Sequence, residues 1–130
     1  MIVVDASAVL ELLLKTPAGD EVARRVFEPG QEIHAPHLLD LEVAQVLRRI
    51  ARTGNVAVAR CRAALDVLSG LRILRHPHYP LLPRIWRLRQ NLTAYDAAYA
   101  ALAELLDAPL LTCDQRLAHA AGHAAKIDLV

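Results

Sequence analysis

Four carboxylates stand where predicted strands and helices begin or end: Asp5, Glu42, Asp96 and Asp114. Asp5 directly follows the short apolar run at 2–4, and Asp114 directly follows the run at 110–113. Short runs of this kind, rich in branched apolar residues, are typical of buried parallel strands. Sites in open α/β sheets form outside the carboxyl ends of the strands, so both acids are expected at one edge.

The other two acids lie near the amino-terminal ends of predicted helices. Asp96 falls in the first turn of a helix over 94–106 that Thr93 caps, and Glu42 falls in the second turn of a helix over 37–52. Carboxylates about 4 Å apart repel one another by several kcal/mol at a surface-like dielectric constant. A divalent cation would relieve that repulsion, and all-oxygen ligand sets suit Mg²⁺ or Mn²⁺. The pattern therefore predicts a metal site at this edge.

Strand-like and helix-like segments alternate along the chain, which predicts a parallel sheet covered on both faces. Strands are expected over 2–4, 33–36, 71–74, 110–113 and 127–130. Helices are expected from Ser7 as N-cap to Lys15, between 17 and 29, and over 37–52, 56–68, 80–89, 94–106 and 115–122.

Length and composition exclude several classes of protein. The chain has 130 residues, of which 55% are hydrophobic and 22% charged, so we expect one folded domain over 1–130. It has no apolar run long enough to cross a bilayer, and its first residues lack the basic region of a signal peptide. Cys61 and Cys113 have no metal-motif spacing and are expected to stay reduced. A cytoplasmic location and no membrane partner follow as expectations.

Four segments carry a resemblance to a known family: VVDASA at 3–8, PHLLDLEV at 36–43, TAYDAAY at 93–99 and LTCDQRLA at 111–118. Their order and spacing resemble those of PIN-domain ribonucleases, specifically the VapC type of toxin. The resemblance implies a three-layer α/β/α domain with a parallel sheet of about five strands. It also implies an endoribonuclease that depends on Mg²⁺ or Mn²⁺ and that a small VapB-like antitoxin inhibits. A homodimer is implied as well.

Residue roles follow from the same resemblance. The matched acids are Asp5, Glu42, Asp96 and Asp114, with Ser7 and Thr112 as polar neighbours that would orient the carboxylates. The three aspartates would bind the ion, and Glu42 would complete its shell or orient the attacking water. Asp40 is an additional acid two residues before Glu42; positions i and i+2 of a helix face different ways, so only one should join the site.

The charge of the chain is unevenly distributed. The net charge is only +1, yet residues 48–93 contain ten arginines and one acid. An anionic site repels RNA, so a cationic rim is needed to attract its phosphates. The candidates for that rim are Arg48, Arg49, Arg52, Arg84, Arg87, Arg89 and Arg116.

Other interpretations of the sequence remain open at this stage. The chain could be a non-catalytic module that binds RNA or a protein and uses its acids to hold a structural ion. His34 with His37, or His119 with His123, has helical spacing for zinc, although no further ligand completes the set. A dehalogenase-like phosphatase would need a second Asp where Ser7 stands. The three consecutive leucines at 12–14 suit either a partner helix or burial on two sides.

Overall fold

The sheet of the protein has five parallel strands in the order β3-β2-β1-β4-β5 in a computed structural model that describes all residues 1–130. The strands are β1 (Ile2–Val4), β2 (Ile33–Pro36), β3 (Ile73–His76), β4 (Leu110–Thr112) and β5 (Ile127–Leu129). Val3 pairs with His34 of β2 on one side and with Leu110 of β4 on the other. The strand order therefore reverses at β1, which makes the space between β1 and β4 the switch point of the sheet.

Seven α-helices cover this sheet: α1 (Ala6–Leu14), α2 (Pro17–Val26), α3 (Leu38–Arg52), α4 (Val58–Gly70), α5 (Leu82–Arg87), α6 (Ala94–Leu106) and α7 (Gln115–Ala118), with a 3₁₀ turn over Tyr79–Leu81 before α5. The helices α1 to α4 pack on one another, and α5 packs on α6. Because crossovers between parallel strands are right-handed, the reversal at β1 sends these two groups to opposite faces. The predicted three-layer α/β/α class is confirmed. None of the helices combines the length and the apolar character that a membrane crossing requires.

The N-cap of α1 differs from the prediction. Asp5 occupies the cap position, and its Oδ1 accepts the backbone N–H of Ala8 at 2.9 Å. Ser7 was the predicted cap, but it lies inside the helix and donates its hydroxyl to Asp5 instead. Because β1 ends only one residue before α1, the acid that follows the strand is also the residue that caps the helix.

Several element boundaries also differ from the sequence-based expectation: α4 spans Val58–Gly70 instead of 56–68, and α5 spans Leu82–Arg87 instead of 80–89. The strand β3 begins at Ile73 instead of Leu71, because the Leu71 N–H still bonds to the carbonyl groups at the end of α4. The helix α7 ends at Ala118, short of the expected 122. Gly122 then turns the chain toward β5 with a φ of +94°, a conformation that favours glycine.

The helix α1 is packed on several sides. It contacts α2, α3 and α4, and Leu12 and Leu14 pack against the core beside the buried Leu13. Burial on two sides therefore accounts for the apolar leucine run. Gly19 lies where α2 approaches α1 most closely: a Cβ at this position would lie 2.1 Å from the carbonyl oxygen of Glu11.

Candidate active site

The ends of β1 and β4 are joined by a hydrogen-bond network centred on Asp5. Its Oδ1 accepts the Ser7 hydroxyl at 2.7 Å in addition to the Ala8 N–H. Its Oδ2 accepts the Thr112 hydroxyl at 2.6 Å. A carboxylate offers about four lone-pair positions, so three are filled and one on Oδ2 remains for another ligand.

Ser7 and Thr112 also bind the backbone of the segment that follows β4. The Cys113 N–H donates to the Ser7 Oγ at 2.9 Å, and the Asp114 N–H donates to the Thr112 Oγ1 at 2.9 Å. Each hydroxyl therefore links the Asp5 carboxylate to the loop that carries Asp114. This arrangement fixes the relative position of Asp5 and Asp114, although the two residues are 109 positions apart in the sequence.

The burial of Asp5 has an electrostatic consequence. Asp5 is only 4% exposed, and this burial raises its pKa above the ordinary value. The three hydrogen bonds oppose the rise, whereas the nearby Asp114 carboxylate adds to it. A buried carboxylate that three hydrogen bonds fix in place, although burial disfavours its charged form, is typical of a functional site.

Glu42 reaches the same region from the second turn of α3. Its Oε2 accepts the hydroxyl of Tyr99, a residue of α6, at 2.5 Å. Partial burial raises the pKa of Glu42, and the Asp96 and Asp5 carboxylates raise it further, while the Tyr99 bond lowers it. Burial, followed by the bond to Glu42, raises the pKa of Tyr99 as well, so its phenol stays protonated and acts as the donor.

Asp96 and Asp114 complete the acidic cluster, which we define as Asp5, Glu42, Asp96 and Asp114. The backbone N–H of Asp96 donates to the Oγ1 of its N-cap Thr93 at 3.1 Å. Burial and then the Asp114 carboxylate raise the pKa of Asp96, whereas the hydrogen bond of the Thr93 side chain and then the Arg116 guanidinium lower it. Asp114 caps α7 with its Oδ1, and its Oδ2 lies 3.5 Å from the Arg116 guanidinium.

The donor chemistry of this cluster fits a hard divalent cation. All of its ligand atoms are carboxylate oxygens, and Glu42 Oε1 makes no hydrogen bond to the protein. No three His, Cys, Asp or Glu side chains are close enough together in this structure to hold an ion at one point. A cation at the cluster would therefore keep part of its water shell, which suits Mg²⁺ because this ion commonly retains several waters and binds few carboxylates directly.

Other ionisable residues near the cluster have different partners. Asp40 forms a two-pronged bond with Arg75 of β3, with distances of 2.7 and 2.8 Å, and so faces away from Glu42. Burial raises the pKa of the Cys113 thiol to about 11, which leaves it a poor nucleophile at neutral pH. His34 bonds to His76 within the sheet.

The arginines expected at the RNA-binding rim occupy three places. Arg48, Arg49 and Arg52 are exposed on the second half of α3, where they line a shallow groove with Gln45 and Thr53. Arg116 is at the mouth of the cluster with a 92% exposed side chain. The remaining three lie on or just after α5: Arg84, Arg87 and Arg89.

The arginines on or just after α5 differ in the contacts that their guanidinium groups make with other side chains. Arg84 forms two bonds with Glu104 of α6, at 2.6 and 2.9 Å, so its guanidinium serves mainly to join these helices. Arg89 stacks over the exposed Trp86 ring, 4.8 Å from its centre. Arg87 is exposed.

The role of Tyr99 was not predicted from the sequence. The segment Tyr-Asp-Ala-Ala-Tyr contained a signal for it, because Asp96 and Tyr99 are three residues apart and therefore share one side of a helix. What the segment could not indicate was the partner, since Glu42 is 57 residues away.

Comparison with known proteins assigns the chain to a family. Residues 2–123 match the family model described as "PIN domain". The chain is 46% identical to ribonuclease VapC1 of Mycobacterium tuberculosis, over 98% of this chain and 96% of that protein. The crystal structure of PAE2754 from Pyrobaculum aerophilum is 30% identical, with a TM-score of 0.71 over 98% of this chain and 83% of that one. VapBC2 from Rickettsia felis, solved with a DNA fragment from its promoter, shares the fold at 12% identity and a TM-score of 0.72, over 100% of this chain and 99% of that one. The chain therefore belongs to the PIN-domain family and, within it, to the VapC ribonucleases.

Proposed function

We propose that the protein is an endoribonuclease that requires Mg²⁺ or Mn²⁺ and hydrolyses RNA phosphodiester bonds at the acidic cluster. The observation that carries the proposal is that three of these acids are partly or fully buried and are close enough to another acid of the cluster to be repelled by it. The pKa values of Asp5, Glu42 and Asp96 are raised by burial and, in each case, also by another carboxylate of the cluster. Such an arrangement is costly unless a cation neutralises it.

The side chains of the cluster have distinct tasks in this proposal. Asp5, Asp96 and Asp114 would hold the ion directly or through water, and Ser7 and Thr112 keep the Asp5 carboxylate in place. When bound, the ion lowers the pKa of a water molecule and stabilises negative charge on the phosphate. Glu42 completes the ligand set or accepts a hydrogen bond from the attacking water through its free Oε1.

In this proposal the substrate reaches the acidic cluster along cationic side chains. Arg116 stands at the mouth of the cluster, where its guanidinium can bind a phosphate close to the cleaved bond. Arg48, Arg49 and Arg52 extend the positive surface along α3, and Arg87 and Arg89 do so beside α5. Arg84 contributes less, because Glu104 already neutralises it.

The family also supports a biological setting for the enzyme. We propose that it is the toxin of a toxin–antitoxin pair, that a small VapB-like protein inhibits it, that it forms a homodimer and that it acts on cytoplasmic RNA. The competing interpretation is a non-catalytic binding module whose acids hold a structural ion. Only the nuclease interpretation requires the carboxylates for turnover.

The decisive test is cleavage of total RNA by purified protein with Mg²⁺ or Mn²⁺ and then with EDTA. We expect cleavage with the metal, none with EDTA, and a loss of at least about 100-fold for Asp96→Asn, because this change removes one charged ligand of the cluster. Asp66→Asn on the exposed face of α4 is the matched control and should cleave like the wild type. Cleavage that survives EDTA or Asp96→Asn would contradict the proposal.

A further inference from the structure

Tyr99 is a core residue whose only polar atom is directed to the acidic cluster. Its side chain is 1% exposed, and its hydroxyl donates to Glu42 Oε2 at 2.5 Å. A buried tyrosine hydroxyl generally needs a hydrogen-bond partner, so the contact could serve the tyrosine alone. The surroundings of Glu42 favour a second role, because its Oε1 makes no hydrogen bond to the protein and the Asp96 and Asp5 carboxylates are near enough to raise its pKa.

The helix α6 places two groups at the cluster by different means. Asp96 is in its first turn and contributes a carboxylate directly. Tyr99 lies three residues later on the same side and acts on Glu42, which belongs to α3. The helix α6 thus contributes its own acid, Asp96, and also contacts Glu42, which α3 carries on the other face of the sheet.

We propose that Tyr99 is a positioning residue for the nuclease reaction, whose hydroxyl holds Glu42 so that Oε1 faces the cation and the attacking water. This inference rests on the proposed function. A glutamate has three rotatable side-chain bonds, and no other protein group bonds to the Glu42 carboxylate. Without Tyr99 the carboxylate would have to be ordered each time it is used.

The first test replaces Tyr99 with phenylalanine, which fills almost the same volume and removes only the hydroxyl. We expect Tyr99→Phe to bind Mn²⁺ about 10-fold more weakly and to cleave RNA about 10-fold more slowly, as is usual when a partner that orients a ligand is lost. Mn²⁺ binding is measured by calorimetry without RNA. Tyr79→Phe, an 82% exposed site, is the matched control and should equal the wild type.

A double-mutant cycle separates positioning from a role in the fold. In a Glu42→Gln background, Tyr99→Phe should change Mn²⁺ affinity and cleavage by no more than about 2-fold, because the group that it positions is already lost. If Tyr99 only supports the core, Tyr99→Phe should lower Mn²⁺ affinity and cleavage by the same factor in both backgrounds. Equal losses in the two backgrounds, or wild-type behaviour of Tyr99→Phe, would overturn the inference.

A third measurement leaves residue 99 unmutated, in case Tyr99→Phe does not fold. The chain has only three tyrosines, so labelling with 3-fluorotyrosine produces three fluorine resonances. Mg²⁺ should shift the Tyr99 resonance in otherwise wild-type protein, leave the Tyr79 resonance unmoved, and shift neither in Glu42→Gln. If the protein binds Mg²⁺ and the Tyr99 resonance does not shift, the positioning role of Tyr99 is overturned, while the proposed nuclease function is not. Wild-type protein that neither binds Mn²⁺ nor cleaves RNA overturns the proposed function as well.

Discussion

Asp5 combines contacts that support the fold with the carboxylate that the proposed function requires. Its Oδ1 caps α1, its Oδ2 is bound by Thr112 of β4, and one lone-pair position is left for a ligand. Burial nevertheless raises its pKa, so the charged form is disfavoured in the folded protein. Functional sites commonly reduce the stability of the free protein in this way.

The raised pKa values predict how pH controls stabilisation by metal. Asp5, Glu42 and Asp96 hold protons more tightly when folded than when unfolded, so the metal-free protein loses stability as pH rises above their ordinary values near 4. Mg²⁺ competes with those protons. At pH 7.5, Mg²⁺ at ten times its Kd should stabilise the fold by about 1.4 kcal/mol, or about 5 °C in Tm.

The same stabilisation should shrink as pH falls from 7.5 toward 5, where protons begin to occupy the carboxylates. Thermal unfolding with and without Mg²⁺ across this range measures the difference. Asp96→Asn should reduce the shift in Tm at every pH, whereas Asp66→Asn should retain it. A shift that is independent of pH would show that Mg²⁺ binds elsewhere.

At the scale of elements, the position of Asp5 and Glu11 depends on how α1 packs on α2. A tight turn joins the two helices through Lys15, whose φ is +54°, and Thr16 then caps α2 through the Gly19 N–H. This turn brings Gly19 against the backbone of Glu11, with no room for a side chain. The close contact keeps α1, and therefore its N-cap, in a fixed position.

Two glycine substitutions test this packing. Gly19→Ala should lower the free energy of unfolding by about 2–3 kcal/mol, because the new methyl group overlaps the Glu11 carbonyl and the helices must separate. Gly70→Ala at the end of α4 meets no atom within 4 Å and should raise stability by about 0.5–1 kcal/mol, since alanine favours helix. Urea denaturation measures both. Equal effects at the two positions would contradict the close packing of α1 on α2.

The whole molecule combines one core with an uneven charge distribution. A contiguous cluster of 33 buried hydrophobic residues joins elements from β1 to α7, and we propose that residues 1–130 form a single domain. The arginine-rich stretch 48–93 covers the end of α3, α4, β3 and α5, whereas the four residues of the acidic cluster lie outside this stretch. Such a charge distribution favours a polyanion that extends beyond the acidic cluster.

Salt dependence should reveal the contribution of this surface to RNA binding. We use Asp96→Asn protein, which should bind without cutting, and single-stranded RNA. Replacing Arg48, Arg49 and Arg52 with Gln should reduce the slope of log K against log salt by about 2, because each phosphate contact on a single strand contributes about 0.7. Arg24→Gln, outside the basic stretch and paired with Glu21, is the control. An unchanged slope for the triple variant would exclude these arginines from the RNA-binding surface.

Local patterns in the sequence were sufficient for most of the fold and for the edge at which the four acids lie. Short apolar runs predict strands, helical periodicity predicts helices, and the topology of parallel sheets brings strand ends together, so Asp5 and Asp114 are predictable neighbours. These signals depend on residues close in sequence. The boundaries of β3 and α7 were less certain, because the last turn of a helix depends on hydrogen bonds that spacing does not reveal.

Pairs of side chains that are distant in sequence could be identified only from the folded structure. Tyr99 with Glu42, Arg75 with Asp40 and Arg84 with Glu104 each join separate elements, and nothing in the spacing of either partner specifies the other. Such pairs depend on how helices cross over the sheet, which is set by the packing of the entire core. The sequence therefore indicates which residues could do chemistry, whereas the tertiary packing selects the partners that hold them in place.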